Sequence, residues 1–174
     1  MPSAVRPLSR SGQSAVHGPL PRTERKKGGA LPMRLEITDK QQALECPRAA
    51  IRKVLRQGLK AEGKDAELSV ALVGDDEMAA LHKRFLGRRR VTDVLSFPYE
   101  ATGQFISGEI VVNAQLAVRE AARRPHSAQD ELLLYVAHGL LHLLGYDDHK
   151  AADRRRMRER EQAILKAAGC EVEF

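Results

Sequence analysis

The feature that most constrains the fold is a nearly continuous apolar segment at residues 132–144, interrupted by His138 and His142. The segment is too short to cross a membrane, which takes about 18 consecutive apolar residues, so we expect a soluble protein. A serine N-cap before it and Gly145 after it predict a helix over 127–144. Because this helix is apolar nearly all round, the rest of the chain must pack around it.

His138 and His142 are four residues apart, which places both imidazoles on one face of the predicted helix. By itself, such a pair is more often a satisfied core or surface pair than a metal site. Here, however, the helix is followed by a turn in which two acids and His149 return towards the pair. Buried imidazoles without partners would cost about 1–3 kcal/mol each, a penalty that metal ligation removes. We therefore predict a metal site with His138, His142 and His149 as ligands.

The predicted ligands indicate the chemistry of a hydrolase. Three neutral imidazoles leave a fourth position for water, and zinc held in this way lowers the pKa of that water to about 7. We expect one Zn²⁺ per chain, although another divalent ion would also accept three imidazoles. The metal-bound water is the expected nucleophile, and no catalytic side chain is assigned. Zinc peptidases with this histidine spacing carry a general base where this chain has Gly139, so peptidase activity is disfavoured.

Elsewhere the chain alternates between strand-like and helix-like patterns. Apolar runs of strand length predict strands at 35–38, 66–73, 94–99 and 106–112, with a hairpin loop over 100–104. Helical periodicity and capping residues predict helices at 47–59, from a turn at 74–77 to Gly87, and at 114–124, 127–144 and 150–168. This order predicts an α/β (α+β) fold. A small, mixed four-stranded sheet packs with about five helices, and the metal site lies at the end of the buried helix.

Residues 1–32 differ in composition from the rest of the chain. They are rich in Pro, Ser, Gly and Arg and lack any helical or alternating apolar period. We predict a disordered basic N-terminal extension at 1–32, followed by a single domain over 33–174. An organelle transit peptide is a weaker interpretation, because no amphipathic Arg/Leu period is present. Translation starting at Met33 is an equally plain hypothesis, since that residue opens the first predicted strand.

The net charge of the chain is concentrated in this extension. It holds six basic residues against one acid, so it contributes five of the six net positive charges. The net charge of the whole chain therefore does not indicate that the folded part binds nucleic acid. Evidence for such binding has to come from local clusters of basic residues. The two cysteines, Cys46 and Cys170, form no CxxC pair, which favours a reducing cytoplasm over an oxidising compartment.

Three segments together carry a resemblance to a known family. Residues 138–149 read HGLLHLLGYDDH, residues 92–98 read TDVLSFP, and residues 108–112 read GEIVV. In order and spacing they resemble the signature of the YbeY family of bacterial ribosome-maturation factors, over roughly residues 33–170. The resemblance implies a zinc-dependent, single-strand-specific endoribonuclease domain at 33–174. Its implied role is 16S rRNA 3′-end maturation and ribosome assembly or quality control. The implied partners are single-stranded RNA, rRNA and the small ribosomal subunit. Neither DNA nor a membrane is an expected partner.

The third ligand is where the chain departs from the family pattern. The family usually places its third histidine six residues after the second, whereas His149 lies seven after His142, because two aspartates replace one. His149 stays the predicted ligand, since a loop after Gly145 can absorb one residue and imidazole suits zinc better than a carboxylate. Asp148, which occupies the family's usual position, is the alternative.

A second departure concerns phosphate binding. The family has an arginine shortly before its TDVLSFP segment, and that position falls on Leu86 here. Neighbouring arginines form the densest basic cluster outside the extension, and we predict that they bind RNA: Arg84, Arg88, Arg89 and Arg90. Cations near the negative end of a helix are the alternative explanation for this cluster. With no Trp and 4% aromatic residues, RNA binding would rest on phosphate contacts rather than on base stacking.

Two other functions and the roles of two acids stay open. The metal could be structural in a non-catalytic ribosome-assembly factor, or it could serve a hydrolase of small molecules. Glu109 and Asp147 could transfer protons or support the ligands. It is equally consistent with the sequence that Glu109 is only an acid at the edge of a strand and Asp147 only an acid in a turn, so neither is given a role.

Overall fold

The computed structural model describes residues 33–173, so the predicted extension at 1–32 lies outside the described residues. The described range forms four strands and five helices in the predicted order. They are β1 (Arg34–Asp39), α1 (Arg48–Ala61), β2 (Asp65–Val73), α2 (Asp75–Leu86), β3 (Val94–Thr102), β4 (Phe105–Asn113), α3 (Ala114–Ala121), α4 (Ala128–Leu143) and α5 (Ala151–Ala168). No helix in this range is both long enough and apolar enough to cross a membrane.

The four strands form one mixed sheet in the order β1-β2-β4-β3. β2 is parallel to both β1 and β4, and β3 pairs with β4 in the antiparallel sense. The predicted α+β fold, with a mixed four-stranded sheet and five helices, is therefore confirmed. β3 lies at an edge of the sheet, which explains why it tolerates Pro98, a residue without an N–H to donate to a second neighbouring strand.

The largest differences from the predicted boundaries are at the hairpin between β3 and β4 and at the end of α3. The loop predicted over 100–104 is shorter, because β3 and β4 stay paired up to a turn in which Gly103 has a φ of 53°. Glycine adopts this conformation without steric cost, so the hairpin closes tightly. The helix predicted over 114–124 ends at Ala121, and Pro125 further disfavours helical geometry at the residue before it. The intervening residues form a turn that redirects the chain into α4.

Each face of the sheet carries a hydrophobic core. Alternate residues of β2 and β4 point to opposite sides. On one side, Leu68, Val70 and Ile110 belong to the core formed with α1, α3, α4 and α5. On the other side, Phe97 and Val111 pack with residues of α2. α4 lies on the first face and is buried along nearly its whole length, as its apolar sequence predicts.

α4 approaches the sheet most closely at Gly139. A Cβ atom on this residue would lie 2.6 Å from Cγ2 of Ile110 and 2.8 Å from Cγ2 of Val94, closer than van der Waals contact allows. Ser96 on β3 donates a hydrogen bond of 2.9 Å to the carbonyl oxygen of Gly139. This hydrogen bond fixes the backbone next to His138. The close packing against Ile110 and Val94 leaves no space for a larger side chain directly after that histidine.

Candidate metal centre

The C-terminal half of α4 brings two imidazole rings together. His138 and His142 lie one turn apart, and their Nε2 atoms are 3.0 Å from each other. The ring centroids are 4.6 Å apart and the ring planes cross at 87°, so the rings do not stack. His142 is buried, and the side chain of His138 is 18% exposed. The two Nε2 atoms therefore converge just beneath the protein surface.

Each ring is oriented by a hydrogen bond at its other nitrogen. Nδ1 of His138 lies 2.6 Å from Oε1 of Glu161, a buried side chain on α5. Nδ1 of His142 lies 3.1 Å from the backbone carbonyl oxygen of Tyr146. Because a carboxylate and a carbonyl can only accept, each Nδ1 carries a proton and donates. The neutral rings therefore present lone pairs from both Nε2 atoms to the same point, as two ligands of one metal ion do.

The turn after α4 depends on Gly145, whose φ of 91° is accessible to glycine at little cost. Its N–H donates to the carbonyl oxygen of His142 at 3.0 Å, and the following N–H donates to that of Leu141 at 2.9 Å. These two bonds close the C-terminal end of the helix and reverse the chain. Residues 146–149 therefore return beside the two histidines.

This reversal places Asp148 against the histidine pair. Oδ2 of Asp148 lies 3.9 Å from Nε2 of His138. Ligand atoms of His138, His142 and Asp148 all fall within 4.8 Å of one another. Oδ1 of Asp148 is buried and has no hydrogen-bond partner among the residues that the structure describes. A buried carboxylate oxygen without a partner is costly unless a cation neutralises it, so this donor set fits a divalent metal ion.

His149, the third ligand predicted from the sequence, lies in a second and overlapping group with Asp147 and Asp148. Its side chain is 54% exposed, and its Nε2 is 3.4 Å from Oδ1 of Asp147. The same oxygen accepts the backbone N–H of His149 at 3.2 Å, which holds this residue on the solvent side of the turn. The structure thus brings Asp148 to the histidine pair and leaves His149 outside that group of three.

The two histidines have pKa values shifted in opposite directions. Burial lowers the pKa of His138, but the hydrogen bond and the charge of Glu161 outweigh burial and raise it overall. Burial lowers the pKa of His142, and the neighbouring His138 lowers it further. A proton therefore binds more readily to His138 than to His142, and it competes with a metal ion for Nε2 of His138.

A cavity of about 450 Å³ opens beside the candidate ligands, and His138 and Asp148 form part of its wall. The cavity lies between the start of β3 and the helices α3, α4 and α5. Four arginines also line it: Arg90, Arg124, Arg154 and Arg158. Guanidinium groups bind phosphate oxygens through parallel N–H donors. Five carboxylates share this wall with the arginines, and Arg124 lies 3.2 Å from Glu131, so the wall beside the candidate metal site carries charges of both signs.

Of the four arginines predicted to bind RNA, the structure brings Arg90 to the cavity. Arg84 instead lies over a phenylalanine ring, with its guanidinium carbon 5.2 Å from the ring centre. Arg89 donates to an aspartate of α2 at 3.1 Å, and Arg88 is exposed outside the cavity lining. Leu86, at the position of the family arginine, packs against the core under α2.

Glu161, Arg124 in the turn after α3 and the cavity arginines of α5 are not among the residues predicted from the sequence. Arg154 and Arg158 belong to a run that alternates with acids, a pattern typical of an exposed helix face. Glu161 does carry a signal, because it lies four residues after the buried Met157, in register with the apolar face of α5. An acid at such a position needs a buried partner, which here is His138.

The two acids without an assigned role lie outside the group of three. Glu109 is buried on the face of the sheet opposite α4, where it accepts the hydroxyl proton of Tyr99 at 2.8 Å. Asp147 is 54% exposed, and it accepts the backbone N–H of Asp148 at 2.7 Å as part of the turn. The contacts of Asp147 are therefore those of an acid that stabilises a turn.

Comparisons with known proteins identify the family. A family model described as Endoribonuclease YbeY matches residues 36–169. Curated proteins of the same name include one from Anaeromyxobacter sp., 43% identical over 60% of this chain and 56% of its own length. Another, from Rhodopirellula baltica, is 35% identical over 74% of this chain and 68% of its own length. The chain thus spans little more than half of the Anaeromyxobacter relative.

A solved structure is also similar. The solution structure of TM1509 from Thermotoga maritima is 27% identical and has a TM-score of 0.55, over 78% of this chain and 88% of that one. The range matched by the family model includes the segments 92–98, 108–112 and 138–149 that carry the sequence resemblance. The resemblance is therefore confirmed, and the chain belongs to the YbeY family.

Proposed function

We propose that the protein is a zinc-dependent endoribonuclease that cuts single-stranded RNA. The curated relatives carry the name Endoribonuclease YbeY, which supports the reaction class. The observation that carries the proposal is the convergence of two lone-pair nitrogens and the carboxylate of Asp148 beside a cavity that Arg90 and Arg158 help to line. The proposed role is 16S rRNA 3′-end maturation, with ribosome assembly and quality control, on the small ribosomal subunit in the cytoplasm.

His138 and His142 are the first two proposed ligands of a single zinc ion, and the turn after α4 supplies the third. Asp148 is favoured by its position, because its buried carboxylate already lies against the pair. His149 is favoured by its chemistry as a zinc ligand, but the turn would have to rotate to bring its exposed ring inward. We therefore propose Asp148 as the third ligand, with His149 as the alternative.

When zinc is bound, it supplies a hydroxide nucleophile at neutral pH and a Lewis acid for a phosphate oxygen. The residues of this chain orient the two histidine ligands and bind the phosphate groups of the RNA. Glu161 and the carbonyl group of Tyr146 keep the protons on Nδ1 and leave both Nε2 atoms free to ligate. Arg90 and Arg158, on the cavity wall, bind phosphate oxygens and stabilise the negative charge that grows on them during cleavage.

The cavity wall also bears on which nucleic acid is cut. A single strand can bend its backbone into a cavity of this size, whereas an A-form duplex is recognised from outside by its shape. With few aromatic side chains in the whole chain, affinity has to come from the arginines rather than from base stacking. RNA binding by this site is therefore expected to weaken steeply with added salt.

The test measures zinc content and cleavage of a single-stranded rRNA fragment on the same preparations. Wild type is compared with His138→Ala, Asp148→Ala and His149→Ala, and Glu159→Gln on the exposed side of α5 serves as the control. We expect about one zinc per chain and metal-dependent cleavage in wild type and control, and neither in His138→Ala. Stoichiometric zinc without cleavage above that of a mock purification would instead indicate a structural metal in a non-catalytic assembly factor.

A further inference from the structure

Tyr146 links the candidate metal centre to a distant helix. Its backbone carbonyl accepts the Nδ1 proton of His142 at 3.1 Å, while its hydroxyl donates to Oε1 of Glu62 at 3.0 Å. Glu62 is the C-cap residue of α1 and takes no direct part in the candidate site. One tyrosine therefore connects a carboxylate on α1 to the ring orientation of a candidate ligand.

Glu62 is itself held in place. Arg160 of α5 donates to the same Oε1 atom that accepts the tyrosine hydroxyl. Burial raises the pKa of Glu62, but the hydrogen bonds from Arg160 and Tyr146 outweigh it and hold the pKa below its ordinary value. The guanidinium of Arg156 lies 5.4 Å from the centre of the Tyr146 ring and covers one of its faces. The ring is therefore fixed at its edge by Glu62 and at its face by Arg156.

The position of Tyr146 in the turn gives its bond to Glu62 a wider effect. Asp148, the candidate third ligand, follows two residues later in the same reversed segment. Gly145, directly before Tyr146, has left-handed backbone geometry and could swing the segment away from α4 if its far end were not held. An anchor at Tyr146 therefore acts on His142 and on Asp148 together.

We propose that Glu62 and Tyr146 form a positioning pair that holds the turn 145–149 in its ligating geometry. The inference rests on the metal centre proposed above. Neither residue belongs to the group of candidate ligands, so their effect is carried by the Tyr146 carbonyl and by the backbone leading to Asp148. Together with Glu161, which orients His138 from α5, the pair gives each histidine its own supporting carboxylate.

The experiment titrates the metal-free full chain with Co²⁺ and follows the visible absorption of the bound ion. The variants are Tyr146→Phe, which removes only the hydroxyl, Glu62→Gln, which keeps the side-chain shape, and the double variant. Tyr99→Phe is the matched control, because it deletes the same kind of bond, a 2.8 Å hydrogen bond to Glu109, on the opposite face of the sheet.

We expect Tyr146→Phe to lower Co²⁺ affinity about 10-fold and to change the shape of the visible band, since the ligands are no longer held in orientation. Glu62→Gln should act in the same direction, and the double variant should bind no more weakly than the weaker single variant, because both changes break one link. Tyr99→Phe should match wild type in affinity and band shape even if its urea midpoint falls as far as that of Tyr146→Phe.

The opposite results are distinct from one another. Wild-type affinity and an unchanged band in both Tyr146→Phe and Glu62→Gln overturn the positioning pair while leaving the metal centre intact. Additive decreases in affinity in the double variant overturn the shared link between the two residues. A wild-type chain that takes up no Co²⁺ overturns the metal centre itself, and the positioning pair with it.

Discussion

Nδ1 of His138 and Oε1 of Glu161 are joined by a 2.6 Å hydrogen bond between α4 and α5. The two residues are 23 positions apart in the chain, and Glu161 is buried. The bond selects the tautomer in which Nε2 of His138 has a free lone pair directed at His142. α5 therefore does more than cover the core, because it determines which nitrogen of the candidate ligand is available.

Replacing Glu161 with Gln is predicted to weaken zinc binding about 10- to 100-fold, the usual cost of removing a group that orients a metal-binding histidine. The amide keeps the shape of the side chain but removes the charge that favours the Nδ1–H tautomer. Competition with a chromophoric chelator measures the affinity. Glu159→Gln makes the same chemical change on an exposed side chain of the same helix and should bind zinc like wild type. Equal affinities in the two variants would show that His138 needs no support from α5.

Asp148→Ala and His149→Ala should separate the two candidates for the third ligand. Asp148 has a buried oxygen beside the histidine pair, whereas the His149 side chain is 54% exposed. We therefore expect Asp148→Ala to release most of its bound zinc during dialysis, while His149→Ala keeps it. Metal content by atomic emission is the readout. The reverse ranking would mean that the turn rotates on metal binding and that the imidazole displaces the carboxylate.

Arg90→Ala is predicted to weaken single-stranded RNA binding and to make it less sensitive to salt. Arg90 lines the cavity, and removing one arginine that binds a phosphate of a single strand should reduce the slope of log affinity against log salt by about 0.7. Arg84→Ala removes the same charge nearby, but its guanidinium lies over a phenylalanine ring outside the cavity lining. Fluorescence anisotropy over a salt series distinguishes the two variants, and identical slopes would exclude Arg90 as a phosphate ligand.

α4 and its ends could be predicted from the sequence because their signals are local. Ser127 accepts the backbone N–H of Asp130 at 3.1 Å as the N-cap, and Gly145 ends the helix with the left-handed geometry expected of a glycine there. The spacing of His138 and His142 then places both rings on one face through helix geometry alone. These features need no knowledge of what packs against the helix.

The rest of the candidate site depends on contacts between distant parts of the chain. Whether Asp148 or His149 faces the pair is decided by the hydrogen bonds of the turn, which spacing and ligand chemistry do not reveal. The arginines of α5 alternate with acids in the sequence, so only the packing of α5 beside α4 shows that Arg158 lines the cavity. The sequence predicts Arg90 together with three neighbouring arginines, and nothing local distinguishes it from them.

Asp75 should make stability depend on pH in the acid range. Its carboxylate accepts from Arg119 at 2.8 Å and from Asn113 at 2.8 Å, linking α2 to the last turn and to the N-cap of α3. The hydrogen bond from Arg119 is the main reason that the pKa of Asp75 lies below its ordinary value of 3.8. A depressed carboxyl pKa stabilises the fold above the unfolded value, and this contribution disappears as the pH falls below 3.8 through the folded value.

Asp75→Asn is therefore predicted to cost about 1 kcal/mol of unfolding free energy at neutral pH, with the difference from wild type shrinking as the pH falls below the ordinary value of Asp. Urea unfolding at a series of pH values measures both quantities. Asp76→Asn, one residue on with a fully exposed side chain, is the control and should show no such trend. A constant difference across the series would mean that Asp75 acts through its shape rather than its charge.

Gly139→Ala tests whether the sheet sets the position of α4. The new methyl group would meet Cγ2 of Ile110 at 2.6 Å and Cγ2 of Val94 at 2.8 Å, and neither β-branched side chain can move aside easily. Overpacking of this kind costs about 1–3 kcal/mol, against a gain of up to about 1 kcal/mol from placing alanine in a helix. We expect a net decrease in stability, and weaker zinc binding as His138 moves with the helix.

Gly58→Ala is the matched control, because it also replaces a helical glycine next to α4. The Cβ added by this substitution would lie 2.5 Å from Cδ2 of Leu140, which is the end of a flexible side chain and can rotate away. The steric cost of Gly58→Ala is therefore smaller than that of Gly139→Ala, while the gain in helix propensity is the same. Urea unfolding of the metal-free chains should therefore rank Gly139→Ala below Gly58→Ala. If the two variants are equally stable and bind zinc alike, the contact between α4 and the sheet does not determine where His138 lies, and its orientation has to come from Glu161 alone.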